Sequence, residues 1–261
     1  MDDQILVERK GRRRALNAIY GQLGAMDHRL RPAHLKQVQI IHTKMSLDGD
    51  ASHPPYYFVS YPYPINEPED EYPEDAEDWP QYDRCPYKNA QHLAICLDRF
   101  LDRCAMQETG TQPPRFAMTS WGNFNFENLG CVTRGSQWQV ISVWYDANSG
   151  APHMVALMWS ELARPQNDEL CRGEVDAAIM IMHGRLRDPS LRPHVIAPVL
   201  LLSAIGEHYL RVIEAYFDNG QLIMRSTPLM DMRERDLGQL ITLVRWCWGG
   251  PSSKDTKFIK S

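Results

Sequence analysis

Four groups of residues have types and spacings that could do chemistry. Cys85, His92 and Cys96 offer the sulfur and nitrogen donors that suit zinc, and His92 and Cys96 stand one helical turn apart. The pattern lacks a Cys-x-x-Cys knuckle and has only Cys104 as a further donor, so cysteines packing a helix face are the preferred reading. Asp48-Gly49-Asp50 could hold a divalent ion, although Asp-Gly pairs are ordinarily turns. Gly130 to Ser136 has the glycine spacing of a phosphate loop but not its lysine. Arg9, Lys10, Arg12, Arg13 and Arg14 are compact enough for a nuclear-localisation or nucleic-acid patch. The competing reading is a solvated helix start paired with acidic residues of the same chain, and a net charge of −5 favours it. Dinucleotide-binding, serine-hydrolase-elbow and HExxH signatures are absent from the sequence.

The elements that must position these groups are read from periodicity. Leu16, Ile19, Tyr20 and Leu23 follow the basic cluster at helical spacing, and Val38 to Ile41 reads as a short strand. From Pro54 to Pro86, Pro and Tyr recur, and eight of the twelve residues from Glu67 to Asp78 are acidic, Glu69, Asp70 and Glu71 among them. Like charges repel and proline blocks ladders, so this middle stretch is expected to be a solvated loop, with its aromatic residues docking on the body. Tyr87 to Met106 is an amphipathic helix with Leu93, Cys96 or Leu97, Phe100, Leu101 and Cys104 on one face. Two antiparallel strands flank the turn at Asp146 to Pro152. A helix over Glu169 to Arg187 then leads to strands at Val195 to Ser203, Tyr209 to Phe217 and Gln221 to Ser226, the last two joined at Asn219-Gly220. A closing helix carries Leu237, Leu240, Ile241 and Val244 and stops at Gly249-Gly250-Pro251.

The fold class expected is α+β, a mixed or antiparallel sheet flanked by helices. Its divisions would be a basic helix and short strand (1–53), an acidic loop (54–86) and the main body (87–261), with 1–53 joining the body in one domain. With 261 residues and 43% hydrophobic content, the chain can bury a core without metal or disulfides. The six cysteines are scattered and no secretory h-region is present, which points to reduced thiols in an intracellular protein, cytoplasmic or nuclear. No apolar run is long enough to span a bilayer, so no membrane association is expected.

Glu174 or Asp176 on the helix, Glu214 on the second strand and Arg225 in "QLIMRS" on the third give the C-terminal third an order that resembles a degenerate PD-(D/E)XK nuclease core. The resemblance implies magnesium held by a helix carboxylate and strand carboxylates. Ile223 stands where the metal-binding glutamate belongs, and Arg225 where the lysine does. The segment "HVIAPVLLLSAIGEHYLRVIEAYFDNGQLIMRS", with Arg245-Trp246 after it, also resembles a group of uncharacterised proteins of filamentous ascomycete fungi, which brings no activity with it. Alternation along Tyr209 to Phe217 puts Arg211 and Glu214 on opposite faces, so Arg211 needs a carboxylate or carbonyl from the preceding or the closing helix. The function expected is a non-catalytic interaction or accessory protein with no cofactor and a protein partner. The competing class is a divalent-metal-dependent nuclease or phosphodiesterase.

Overall fold

The computed structural model of the chain describes residues 2–48, 53–68, 79, 86–107, 117–119, 130–131, 137–146 and 149–257. Along the chain run α1 (Asp2–Leu23), β1 (Arg29–Leu30), α2 (Pro32–Gln37), β2 (Ile40–Lys44) and β3 (Phe58–Val59). They are followed by α3 (Pro86–Gln107), β4 (Ala117–Thr119), β5 (Gly130–Cys131), β6 (Trp138–Tyr145), β7 (Met154–Ser160), β8 (Leu170–Cys171) and α4 (Arg172–Arg187). The last third comprises β9 (Val199–Ile205), β10 (Tyr209–Asp218), β11 (Gln221–Ser226), β12 (Met230–Asp231), α5 (Leu237–Trp248) and β13 (Gly250–Pro251).

Among the described residues nine strands make one mixed sheet in the order β2-β11-β10-β9-β7-β6-β4, with β12 beside β10 and β5 beside β6. Neighbours β2 and β11, and β7 and β9, are parallel; the other pairs are antiparallel. The fold is therefore α+β with helices flanking the sheet. On one face α1 and α4 cover a core that includes Leu16, Val175, Ile179, Leu201, Ile213 and Met224. On the other, α3 and α5 cover Leu97, Val155, Leu157, Leu202, Val212 and Leu243. Strands β7 and β9 are buried along their whole length, as parallel strands covered on both faces must be.

Several boundaries move for identifiable reasons. Val38 closes α2, a short helix begun by Pro32, and the strand starts only at Ile40, after Gln39 at φ 60°. Leu170 and Cys171 pair with β1, so α4 starts at Arg172. Val195 and Ile196 donate backbone N–H groups to Thr256, which delays β9 to Val199. Tyr20 is 43% exposed, so the buried stripe of α1 is Leu16, Ile19 and Leu23 without it. Parts of 1–53 and 54–86 are integral to the body: β2 is a strand of the main sheet, and β3 pairs with β13. Tyr57, Phe58 and Tyr61 are buried, and Trp79 donates to the Met232 carbonyl at 2.8 Å. Glu69, Asp70 and Glu71 lie outside the described residues, as does Cys85. Among the described residues Cys96, Cys104, Cys171 and Cys247 form no disulfide. Among the described residues no helix is long and apolar enough to cross a membrane.

His153, just before β7, is 2% exposed and meets Phe58 edge to face at 5.3 Å. Burial, helped by nearby His194 and Arg185, pushes its pKa down to about 3. The unfolded chain takes up a proton near pH 6.5 that the folded chain refuses, so this contribution is present above that pH and declines as pH falls toward 3. The decline is up to ~1.4 kcal/mol per pH unit. His153→Phe is expected to flatten stability against pH between roughly 6 and 4 by this slope. Urea unfolding across that range checks it; parallel curves for the two proteins would contradict a neutral His153.

Candidate functional site

Strand β2 forms one end of the sheet, and among the described residues no strand pairs with its far side. The Leu222 N–H donates to Gln39 and the Met45 N–H donates to Ser226, which fixes the parallel ladder. In such a ladder alternate residues turn their backbone groups away from the neighbour, here Ile40, His42 and Lys44. The same residues, with Ile41 and Thr43, line a cleft of about 900 Å³ that runs along β2. Pro32, Leu35 and Lys36 of α2 form one wall, and the loop from Arg164 to Asp168 forms another. Gln39, at the mouth, keeps a left-handed backbone that costs a non-glycine residue about 1 kcal/mol, an outlier of the kind that gathers at functional sites.

The chemistry nearest the cleft is that of His42. Its Nε2 lies 2.8 Å from Ser226 Oγ and its Nδ1 3.3 Å from the Asp168 carbonyl oxygen. A carbonyl only accepts, so the ring hydrogen belongs on Nδ1, and Nε2 accepts from the serine hydroxyl. Burial and then the Arg211 charge lower the His42 pKa, which keeps the ring neutral. This is the tautomer a serine nucleophile needs, but Ser226 is only 3% exposed. The pair instead fastens the 164–168 loop to the end of the sheet.

Two ion pairs lie behind it, one on each face. Arg211 donates from Nε to Glu174 Oε1 at 2.8 Å, from a second nitrogen to Glu174 Oε2, and from a third to the Glu169 carbonyl at 2.8 Å. Glu174 also accepts the Cys171 N–H at 2.7 Å, closing the first turn of α4. Both side chains of this pair are wholly buried. The partner that alternation required for Arg211 is therefore a helix carboxylate, as expected.

On the opposite face Glu214 accepts from its cross-strand neighbour Arg225 at 2.8 Å and from the N–H groups of Tyr56 and Tyr57. Burial raises its pKa against those donors. Asp176 lies 3.4 Å from Arg172, and burial raises its pKa to about 6. Glu174 and Glu214 are thus separated by the sheet itself, and each is saturated by donors. Magnesium chelation by Glu174, Asp176 and Glu214 with Arg225 at hand has no geometric basis here. Among the described residues no three His, Cys, Asp or Glu side chains gather as a metal site. His92 is exposed and Cys96 half-buried on α3.

The basic cluster divides. Arg9 is 4% exposed and donates to the carbonyls of Leu186, Asp188, Leu191 and His194, where the end of α4 leaves acceptors unpaired. Arg12 binds Glu8 at 2.7 Å and the Phe217 carbonyl at 2.6 Å. The patch is therefore no continuous solvated surface; Lys10 and Arg14 remain exposed and Arg13 half-buried. Sequence reasoning missed the His42 and Ser226 pair, whose one signal was a lone histidine in an otherwise apolar strand start. In comparisons with protein-family models, curated proteins and solved structures, nothing matches this chain.

Proposed function

We propose that this chain is an interaction protein that takes an extended segment of a protein partner along β2, by strand addition. The observation that carries the reading is the groove-lined edge, unpaired among the described residues: outward backbone groups at Ile40, His42 and Lys44 beside a cleft of about 900 Å³. An unpaired edge is an aggregation hazard unless it is covered or used. Lys36, Lys44 and Arg164 line the cleft against a single carboxylate, Asp168, while Leu35, Ile40, Ile41 and Leu229 supply apolar wall. The segment that fits alternates apolar and acidic residues, so that one set packs on the wall and the other meets the cations.

Selection from a library of short displayed peptides tests this. Binders are expected to be acidic, to weaken with salt, and to lose about tenfold or more in affinity to Lys44→Pro, which removes an outward N–H and leaves the β11 ladder intact. The melting temperature of that variant should stay near that of the parent. Recovery of no peptide, or of peptides indifferent to Lys44→Pro, would overturn the reading.

A further inference from the structure

Most arginines among the described residues have identified partners. Arg9 caps carbonyls, Arg12 holds Glu8, Arg172 holds Asp176, Arg211 holds Glu174, Arg225 holds Glu214 and Arg233 holds Asp231. Arg13, Arg14, Arg187 and Arg192 have no carboxylate within ion-pair distance among those residues, and Arg13, Arg187 and Arg192 of these lie along the packing of α1 on α4 and the turn after it.

The packing of α1 on α4 explains why. Arg9 reaches the C-terminal end of α4, and Arg172 at the other end of α4 reaches the Gly24 carbonyl at 3.5 Å, so the two helices run antiparallel. The antiparallel packing sets Arg13, one turn beyond Arg9, opposite the turn of α4 that carries His183, itself one turn before Arg187. Arg192 follows the short helical turn Pro189–Leu191, directly after the Leu191 carbonyl that Arg9 binds. The ordinary attraction of a helix C-terminus for cations does not account for the group, because Arg9 already occupies those carbonyls. The carboxylate near it, Asp188, lies 3.8 Å from Arg185 and accepts from Ser190.

Asp188 offsets part of the positive charge beside Arg9, and no carboxylate among the described residues ion-pairs with Arg13, Arg187 or Arg192. Burial and the neighbouring Arg13 and Arg187 cations depress the His183 pKa. Arg13 Nε is buried and has no hydrogen-bond partner. A buried guanidinium donor without an acceptor is costly, and a bound anion would supply one. Planar guanidiniums match tetrahedral oxyanions by paired N–H donation.

We infer that the seam between α1 and α4 at Arg13, His183, Arg187 and Arg192 is a binding site for an oligophosphate. The spread of cations over two helices and the turn after them favours a ligand of two or three phosphoryl groups over a single one. This site is separate from the β2 cleft and does not depend on peptide binding there.

Calorimetric titration with sodium tripolyphosphate at roughly 0.1 M ionic strength, with sulfate as the control anion, tests it. Tripolyphosphate is expected to bind about tenfold or more tightly than sulfate. Arg13→Gln and the exposed Arg192→Gln should each weaken it by about tenfold, and Arg233→Gln, remote from the seam, should leave it unchanged. Arg192→Gln removes a surface side chain and so keeps the test valid should Arg13→Gln fold poorly. Binding no tighter than sulfate, or equal binding by the parent and Arg192→Gln, would overturn the inference.

Discussion

Glu174→Ala is expected to destabilise the protein by about 3–5 kcal/mol, measured by urea unfolding at neutral pH. The side chain is wholly buried and binds Arg211 through both oxygens. Removing it leaves a guanidinium without solvent and without its carboxylate, held at one nitrogen by the Glu169 carbonyl. It also removes the acceptor for the Cys171 N–H at the start of α4. Arg211→Ala strands a carboxylate in the same place and should cost a similar amount. Replacing both at once with apolar residues of similar volume is expected to cost less than the sum of the two single changes, because no charge is then left uncompensated. A surface-like loss below about 1 kcal/mol for Glu174→Ala would refute the assignment of this pair as internal.

Gly249→Ala is expected to be comparably severe, at about 3 kcal/mol or more. A Cβ at this position would stand 1.8 Å from the Val59 carbonyl oxygen and 2.9 Å from its carbon, which are backbone atoms and cannot rotate aside. The segment from Tyr57 to Tyr61 would have to move off the end of α5. It would then lose its pairing with Gly250 and Pro251, the Tyr61 N–H donation to the Arg245 carbonyl at 2.7 Å, and the Ser252 N–H donation to the Tyr57 carbonyl at 2.8 Å. Gly220→Ala provides the comparison: its φ of 77° disfavours a side chain but nothing crowds the site, so about 1 kcal/mol is expected. Amide exchange should report the difference locally, with Tyr57 and Tyr61 losing protection in Gly249→Ala alone. Equal losses for the two glycines would show that close approach of the backbone is not what Gly249 provides.

These two positions also show where sequence reasoning succeeds and where it stops. Gly249 and Gly250 were legible as the end of α5, since glycine there breaks a helix; that a distant strand lies against Gly249 was not. Glu174 and Asp176 were both legible as carboxylates near the start of α4. The pairing of Glu174 with Arg211 depended on where α4 begins, and that start is displaced by the short strand at Leu170 and Cys171. The hairpin at Asn219-Gly220 was fully legible. Both residues adopt positive φ, 48° and 77°, and the register closes at Asp218 and Gln221. The β2 cleft was not legible, because α2 is a six-residue helix too short to show periodicity and Gln39 turns the chain without a glycine.

Local physics determined what the sequence could show by itself. Helical and strand periods, proline stops and the Asn-Gly turn marked the elements of the C-terminal third, and alternation put Arg211 and Glu214 on opposite faces. Tertiary structure alone decided which cations are neutralised. Arg9 and Arg12 looked like part of a basic patch, yet Arg9 is held by backbone carbonyls and Arg12 by one carbonyl and carboxylates. A carbonyl carries no formal charge, so no count of residues reveals that it satisfies an arginine. Only the packing of α1 on α4 brings those acceptors to Arg9 and withholds them from Arg13, Arg187 and Arg192.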